Sequence, residues 1–220
     1  MSSVIGDILC KGSTVIGVPL SSKQIRSFEV YAAELIKWNA KVNLTAITKD
    51  TEVAVKHFID SLSLTPFITA GSNLLDIGSG AGFPIIPLSI AMPEIQMLSV
   101  DAVAKKIHFQ RHIIRQLCLK NIEAMHARIE DLHKSHNKAF SIITSRAFTR
   151  LDRFISLAAP LLTDDGVLIA MKGEGAEDEI AASDDTFCAE GFAVTSEHHY
   201  SLPMGMGERV LTLIKRRQAA

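Results

Sequence analysis

Three glycines at alternate positions, Gly78, Gly80 and Gly82, follow the apolar run Leu74-Leu75-Asp76-Ile77 directly. Glycine accepts positive φ and lets a ligand approach bare backbone, so this spacing suits a binding loop at the end of a buried strand. Asp101 ends the next predicted strand. A carboxylate there can accept hydrogen bonds from both hydroxyls of a ribose, or it can cap the helix that follows. Arg146 ends a further apolar run, and a guanidinium at a strand mouth holds an anion or a carbonyl. Phe83 occupies the last small position of the G-x-G-x-x-G/A dinucleotide fingerprint, which disfavours that ligand, and no G-x-x-x-x-G-K-[ST] phosphate loop occurs. A tight turn without a ligand is the structural alternative.

The elements that must position these groups follow from apolar periodicity. Strands are predicted over 74–77, 96–101, 122–126, 140–145 and 167–171, and helices over 85–91, 105–117 and 151–159. A turn is predicted over 163–166, a hairpin from 192–199 and 210–214, and a solvated acidic helix over 174–185. This strand–helix alternation argues a doubly wound, mostly parallel sheet with an antiparallel strand near its end. Ahead of it, residues 1–20 read as loosely structured. Ser21 and Gln24 form a capping box for a helix whose stripe is Ile25, Phe28, Ala32, Leu35 and Val42, with Trp38 beside it. A second helix runs from Asp50 to Pro66 and carries His57, Asp60 and Ser61, read as part of a helical layer, with substrate contact as the alternative.

Composition bounds the answer. The 220 residues are 47% hydrophobic and 21% charged, ordinary for a water-soluble domain. No apolar run approaches the roughly 18 residues of a membrane span, and no secretory signal is evident. The cysteines Cys10, Cys118 and Cys188 lack metal-like spacing and suit a reduced cytoplasm, so a cytoplasmic protein without metal is expected. Net charge is −1, so any nucleic-acid surface must be a local patch. The 105–117 helix offers one, with Lys105, Lys106, Arg111 and Arg115 beside His108 and His112; a solvated basic face is the simpler reading.

The motif Asp76-x-Gly78-x-Gly80-x-Gly82 resembles the first motif of class I S-adenosylmethionine-dependent methyltransferases. That resemblance implies a Rossmann-like α/β fold, with Ile129 covering the adenine face and Glu130 or nearby backbone bonding its edge. The acceptor is narrowed by what is missing near strands four and five. There is no nucleophilic cysteine for a carbon acceptor, and Ser145-Arg146-Ala147-Phe148 replaces the [N/D]-P-P-[Y/F] turn of amine methylation. A hydroxyl acceptor wants a base, whereas a ring nitrogen with a free lone pair wants only donors around it, such as Arg146.

A tighter resemblance joins several segments. Lys37-Trp38-Asn39, Asn43-Leu44-Thr45, His57-Phe58-Ile59-Asp60-Ser61, the glycine motif with Phe83-Pro84, Ser145-Arg146-Ala147, Lys172-Gly173 and Glu208-Arg209 together resemble the bacterial glucose-inhibited division protein B family, also called RsmG. The resemblance implies an S-adenosylmethionine-dependent enzyme methylating guanine N7 in the 16S RNA of the small ribosomal subunit, with S-adenosylhomocysteine as product. It implies cofactor contacts at Gly78, Phe83, Ile129, Glu130 and Arg146, which join Gly80 and Asp101 from the spacing above. Arg146 also takes the catalytic role, and Lys105, Arg128 and Lys172 are candidates for RNA contact. Ile85 departs from the family's F-P-G-I-P and puts local packing in question. The expected organisation is a helical extension over 1–70 and a methyltransferase domain over 71–220, acting as a monomer. A small-molecule methyltransferase and a cofactor-binding scaffold without activity remain as rivals.

Overall fold

A computed structural model of the chain describes residues 3–146, 150–173, 179–180, 187 and 189–217. Five parallel strands form the centre: β1 (Asn73–Ile77), β2 (Gln96–Asp101), β3 (Ile122–His126), β4 (Phe140–Arg146) and β5 (Leu162–Lys172). β6 (Phe192–Ser201) and β7 (Glu208–Arg216) complete the sheet in the order β3-β2-β1-β4-β5-β7-β6, with β7 antiparallel to both β5 and β6. Alternate residues of the central strands feed opposite layers. Leu74, Met97 and Ile142 join the core under the N-terminal helices, while Leu75, Leu98 and Ile143 join the core on the other face. Burial on both faces is why these strands read as continuous apolar runs.

The helices are α1 (Val4–Val15), α2 (Ser22–Asn39), α4 (Ile85–Ala91), α5 (Ala104–Gln116), α6 (Ile129–Leu132) and α7 (Leu151–Ala158). Between α2 and β1, Asp50–Glu52, Val53–Ile59 and Asp60–Leu62 follow one another without a break; we call this run α3. Its middle segment, Val53–Ile59, is a π-helix. Ile5, Leu9, Phe28, Leu35, Phe58 and Leu62 pack into one cluster with Leu74, Ile86 and Ile169, so the first seventy residues and one sheet face share a core.

Three expectations need correction. Residues 4–15 are a helix, capped by the Ser3 hydroxyl, which accepts from the Gly6 N–H at 3.0 Å. Its glycines weaken the sequence signal but permit close packing. A Cβ on Gly6 would lie 2.6 Å from Glu29 Oε1, and one on Gly12 would collide with Ile59 Cδ1. The turn over 163–166 lies inside β5 as a break in register, since Phe140 faces Leu162 while Ile142 faces Val167. The helix predicted from 50 to 66 gives way after Leu62, and Thr65–Phe67 is a separate 3-10 turn. Of the acidic stretch 174–185, only Glu179 and Ile180 are described, both helical. Ala147 and Phe148 also lie outside the described residues.

Candidate active site

The order of the sheet reverses between β1 and β4, and ligands of open α/β sheets bind beyond the carboxyl ends of the strands at such a point. The glycine loop stands there. The Gly78 N–H donates to Val100 O at 2.8 Å, and the Gly80 N–H to Asp101 Oδ2 at 2.9 Å. Gln110 on α5 donates to Gly80 O at 2.8 Å, and the buried Tyr31 hydroxyl on α2 donates to Ala81 O at 2.6 Å. Gly80 has φ +60° and open space where a Cβ would be. Gly82 has φ +99° and no room, because a Cβ would sit 2.5 Å from Ile86 Cδ1.

Beside the loop is a crevice of 360 Å³ whose lining includes Gly78, Asp101, Arg128, Ile129, Glu130 and Leu157. Asp101 accepts from Gly80 through Oδ2 and from the Val103 N–H through Oδ1 at 2.8 Å. Each oxygen keeps acceptor capacity. The carboxylate therefore fixes the loop and keeps lone pairs that could receive two hydroxyls; it is not the cap of α5, whose N-cap is Val103 without a side-chain cap bond. Ile129 is buried at the crevice wall. Glu130 is half-exposed and paired with Arg153 at 2.7 Å. An acidic residue with spare lone pairs, bare glycine backbone and apolar walls fit a nucleoside.

Arg146 does not line that crevice. It opens on a second pocket of 300 Å³, with Ile47, Lys56, Asp60, Met171, Lys172, Gly173 and Arg209. α3 grips its guanidinium. Nη1 donates to Lys56 O at 3.0 Å and to Asp60 Oδ2 at 3.2 Å, and Nη2 to His57 Nδ1 at 2.7 Å. Asp60 Oδ1 accepts from the Tyr200 hydroxyl on β6 at 2.8 Å and lies 3.6 Å from Arg209 on β7. Burial pushes the Asp60 carboxyl above the usual range, with Arg146, Tyr200 and Arg209 pulling the other way. Burial, reinforced by Arg146, lowers His57 to about 3, so the ring is neutral. Phe83 stands behind the loop. Its ring stacks on His57 at 4.2 Å, on Tyr31 at 5.4 Å, and lies 5.5 Å from the Arg146 guanidinium.

Gly78, Asp101, Arg128, Ile129 and Glu130 therefore share the crevice, Gly80 and Phe83 belong to the loop behind it, and Arg146 and Lys172 share the second pocket. Lys172 is paired with Glu179 at 2.9 Å. Lys105 is exposed on the first turn of α5. Part of the basic face of α5 is structural, since His112 pairs with Glu34 at 2.7 Å and Arg111 donates to Ala124 O at 2.9 Å. Arg128 faces the crevice rather than the basic pocket. Ile85, where a glycine was expected, is fully buried in the core at the start of α4. Sequence reasoning placed His57 and Asp60 in a helical layer with substrate contact as the alternative; their partner Arg146 is 89 and 86 residues away, too far for spacing to join them. Among the described residues, no three His, Cys, Asp or Glu gather as a metal site.

Residues 24–205 match the family model GidB, rRNA small subunit methyltransferase G. The chain is 44% identical over 216 residues to "Ribosomal RNA small subunit methyltransferase G" of Geotalea uraniireducens (strain Rf4), covering 98% of this chain and 99% of the relative. It is 37% identical to the protein of that name from Streptococcus pyogenes serotype M1, covering 92% of this chain and 87% of the relative. Among solved structures, M. jannaschii TYW2 in complex with AdoMet superposes with a TM-score of 0.61 at 14% identity, covering 80% of each chain. A SAM-dependent methyltransferase from Aquifex aeolicus gives 0.56 at 14% identity, over 83% of this chain and 97% of that one. The likeness to these structures establishes the fold, that of the class I methyltransferases.

Proposed function

Since the chain belongs to the GidB family of rRNA small subunit methyltransferases, we propose that it transfers the methyl group of S-adenosylmethionine to N7 of a guanine in small-subunit ribosomal RNA. One observation carries the choice of acceptor: among the described residues, His57 and Asp60, the groups beside Arg146 that could act as bases, are buried and already engaged by hydrogen bonds. His57 Nδ1 accepts from Arg146, its Nε2 is bonded to Thr45 Oγ1 at 2.9 Å, and Asp60 accepts from Arg146 and Tyr200. The pocket is rich in donors and poor in free bases. A ring nitrogen suits it, because its lone pair attacks carbon with no proton to remove.

When bound, the cofactor supplies an electrophilic methyl on a sulfonium. The chain's own residues do the rest. Asp101 and the Gly78–Gly80 backbone hold the nucleoside end, and Ile129 and Glu130 border its base. Arg146 donates toward the carbonyl edge of the target base, and Lys56 and Arg209 attract the RNA backbone. Alignment of acceptor and methyl can supply roughly 7–11 kcal/mol of barrier lowering without further reagents. The basic pocket favours RNA over a small uncharged acceptor. We infer that the protein acts as a monomer in the cytoplasm, a reading that rests on its composition and its ribosomal substrate.

The test is to incubate the protein with methyl-labelled S-adenosylmethionine and small subunits from a strain lacking the gene. After digestion to nucleosides, label should appear in 7-methylguanosine. Label in another nucleoside would overturn the acceptor, and no label in RNA would overturn the activity.

A further inference from the structure

His57 sits where the glycine loop, the π-turn of α3 and the mouth of β4 meet. Its ring lies 4.2 Å from that of Phe83 at an interplanar angle of 11°, and its two nitrogens face two different partners. Nδ1 is 2.7 Å from Arg146 Nη2 and Nε2 is 2.9 Å from Thr45 Oγ1. A guanidinium only donates, so Nδ1 must carry the lone pair. The ring is neutral, so its one proton lies on Nε2 and is donated to Thr45 Oγ1. Thr45 is itself held, since its Oγ1 also accepts from the Ile47 N–H at 3.0 Å, and the Asn39 side chain accepts from the Thr45 N–H at 3.0 Å. The tautomer is thus fixed by a chain running from the end of α2 to the mouth of β4.

The consequence falls on Arg146. Lys56 O, Asp60 Oδ2 and His57 Nδ1 are three acceptors on one planar group, enough to set both its position and its plane. The Nε–H and at least one further N–H have no acceptor among the described residues and remain for an incoming carbonyl or carboxylate. From this geometry we infer that His57 is a positioning residue for methyl transfer, holding Arg146 through Nδ1 and tying its orientation to Phe83 of the glycine loop. The inference rests on the proposed methyl transfer for its kinetic readout but not for its geometry.

Asparagine places an acceptor oxygen near the site of Nδ1, whereas glutamine places its amide near Nε2. His57→Gln is therefore expected to lower kcat about a hundredfold, and His57→Asn to recover to within about tenfold of wild type, with both variants folded by circular dichroism. In an Arg146→Ala background, His57→Gln should cause no further loss, because two residues acting as one unit are not additive. Equal activity of the two variants, or additive losses in the double variant, would overturn the assignment. Nitrogen-15 NMR of the imidazole gives an answer independent of turnover. The Nε2–H tautomer is expected from pH 5 to 8, and an Nδ1–H tautomer would overturn the inference even in an active enzyme. A wild-type protein inactive on ribosomal RNA would count against the functional reading instead, leaving the tautomer to decide the role of His57.

Discussion

At the scale of single residues, the site is governed by polar groups buried beneath it. Three acceptors fix Arg146 and use three of its five N–H donors, which leaves the others aimed in a set direction. Arg146→Ala is predicted to lose methyl transfer by about a hundredfold while the protein stays folded, as expected for loss of the group that orients the acceptor against the methyl; full activity would remove Arg146 from the reacting site. Asp76, beneath the loop, behaves differently. It is fully buried, neither carboxyl oxygen meets a well-formed hydrogen bond, and burial raises it well above the usual carboxylate range, Arg146 opposing and Asp101 adding. The Ile85 N–H offsets this only weakly. A folded acid with a raised pKa keeps its full contribution below the unfolded value and loses it as pH rises through the folded one. Asp76→Asn does not titrate, so its unfolding temperature relative to wild type should climb as pH rises above about 4. A pH-independent difference between the two would show that Asp76 is ionised in the native protein.

At the scale of elements, the glycine loop is held by helices on either side. The Tyr31 hydroxyl reaches Ala81 O from α2, and Gln110 reaches Gly80 O from α5. Tyr31→Phe keeps the ring on Phe83 and Phe58 but leaves a carbonyl without its donor, at a cost of about 1–3 kcal/mol. We predict a lower unfolding temperature together with weaker S-adenosylmethionine binding by calorimetry; unchanged affinity would mean that the loop keeps its shape unaided. The same elements show what can be read from the chain. β1, β2 and β4 were legible because strands buried on both faces are mostly apolar, β3 because its spacing continued the strand–helix alternation, and Gly78, Asp101 and Arg146 were legible because chemistry collects at the ends of such strands. α1 was not, because Gly6 and Gly12 suppress helix propensity and their value appears only against Glu29 and Ile59. Residues 163–166 have turn chemistry and keep it as an unpaired interruption within β5, because Leu162 and Val167 on either side both pair with β4 and carry the strand through. The π-turn has no sequence signature, so the sharing of Arg146 between His57 and Asp60 emerged only from the fold.

At the scale of the whole molecule, a net charge of −1 has to be reconciled with a polyanionic substrate. The answer is local. The second pocket brings together Lys56, Arg146, Lys172 and Arg209 against Asp60, and Lys105 stands exposed on α5. Asp60 pairs with Arg146, and Lys172 pairs with Glu179, so the cations are not equally available to RNA phosphates. Arg146 and Asp60 are tied into the site itself, and removing either would change the chemistry along with the binding. Lys105 has no such ties among the described residues, which makes it the residue whose loss reports electrostatics alone. Each phosphate neutralised by a side chain releases counterions, so the logarithm of RNA affinity falls linearly with the logarithm of salt concentration. If Lys105 neutralises one phosphate, Lys105→Ala should weaken RNA binding at low salt and reduce that slope by about 0.7–0.9. It should leave cofactor affinity and the maximal rate at saturating RNA near wild type, because α5 meets the glycine loop through Gln110 and not through this lysine. Filter-binding or fluorescence titrations of both proteins from about 50 to 200 mM salt measure the slope directly. An unchanged slope would place the RNA path away from the first turn of α5 and toward the β6–β7 side of the pocket, where Arg209 lies.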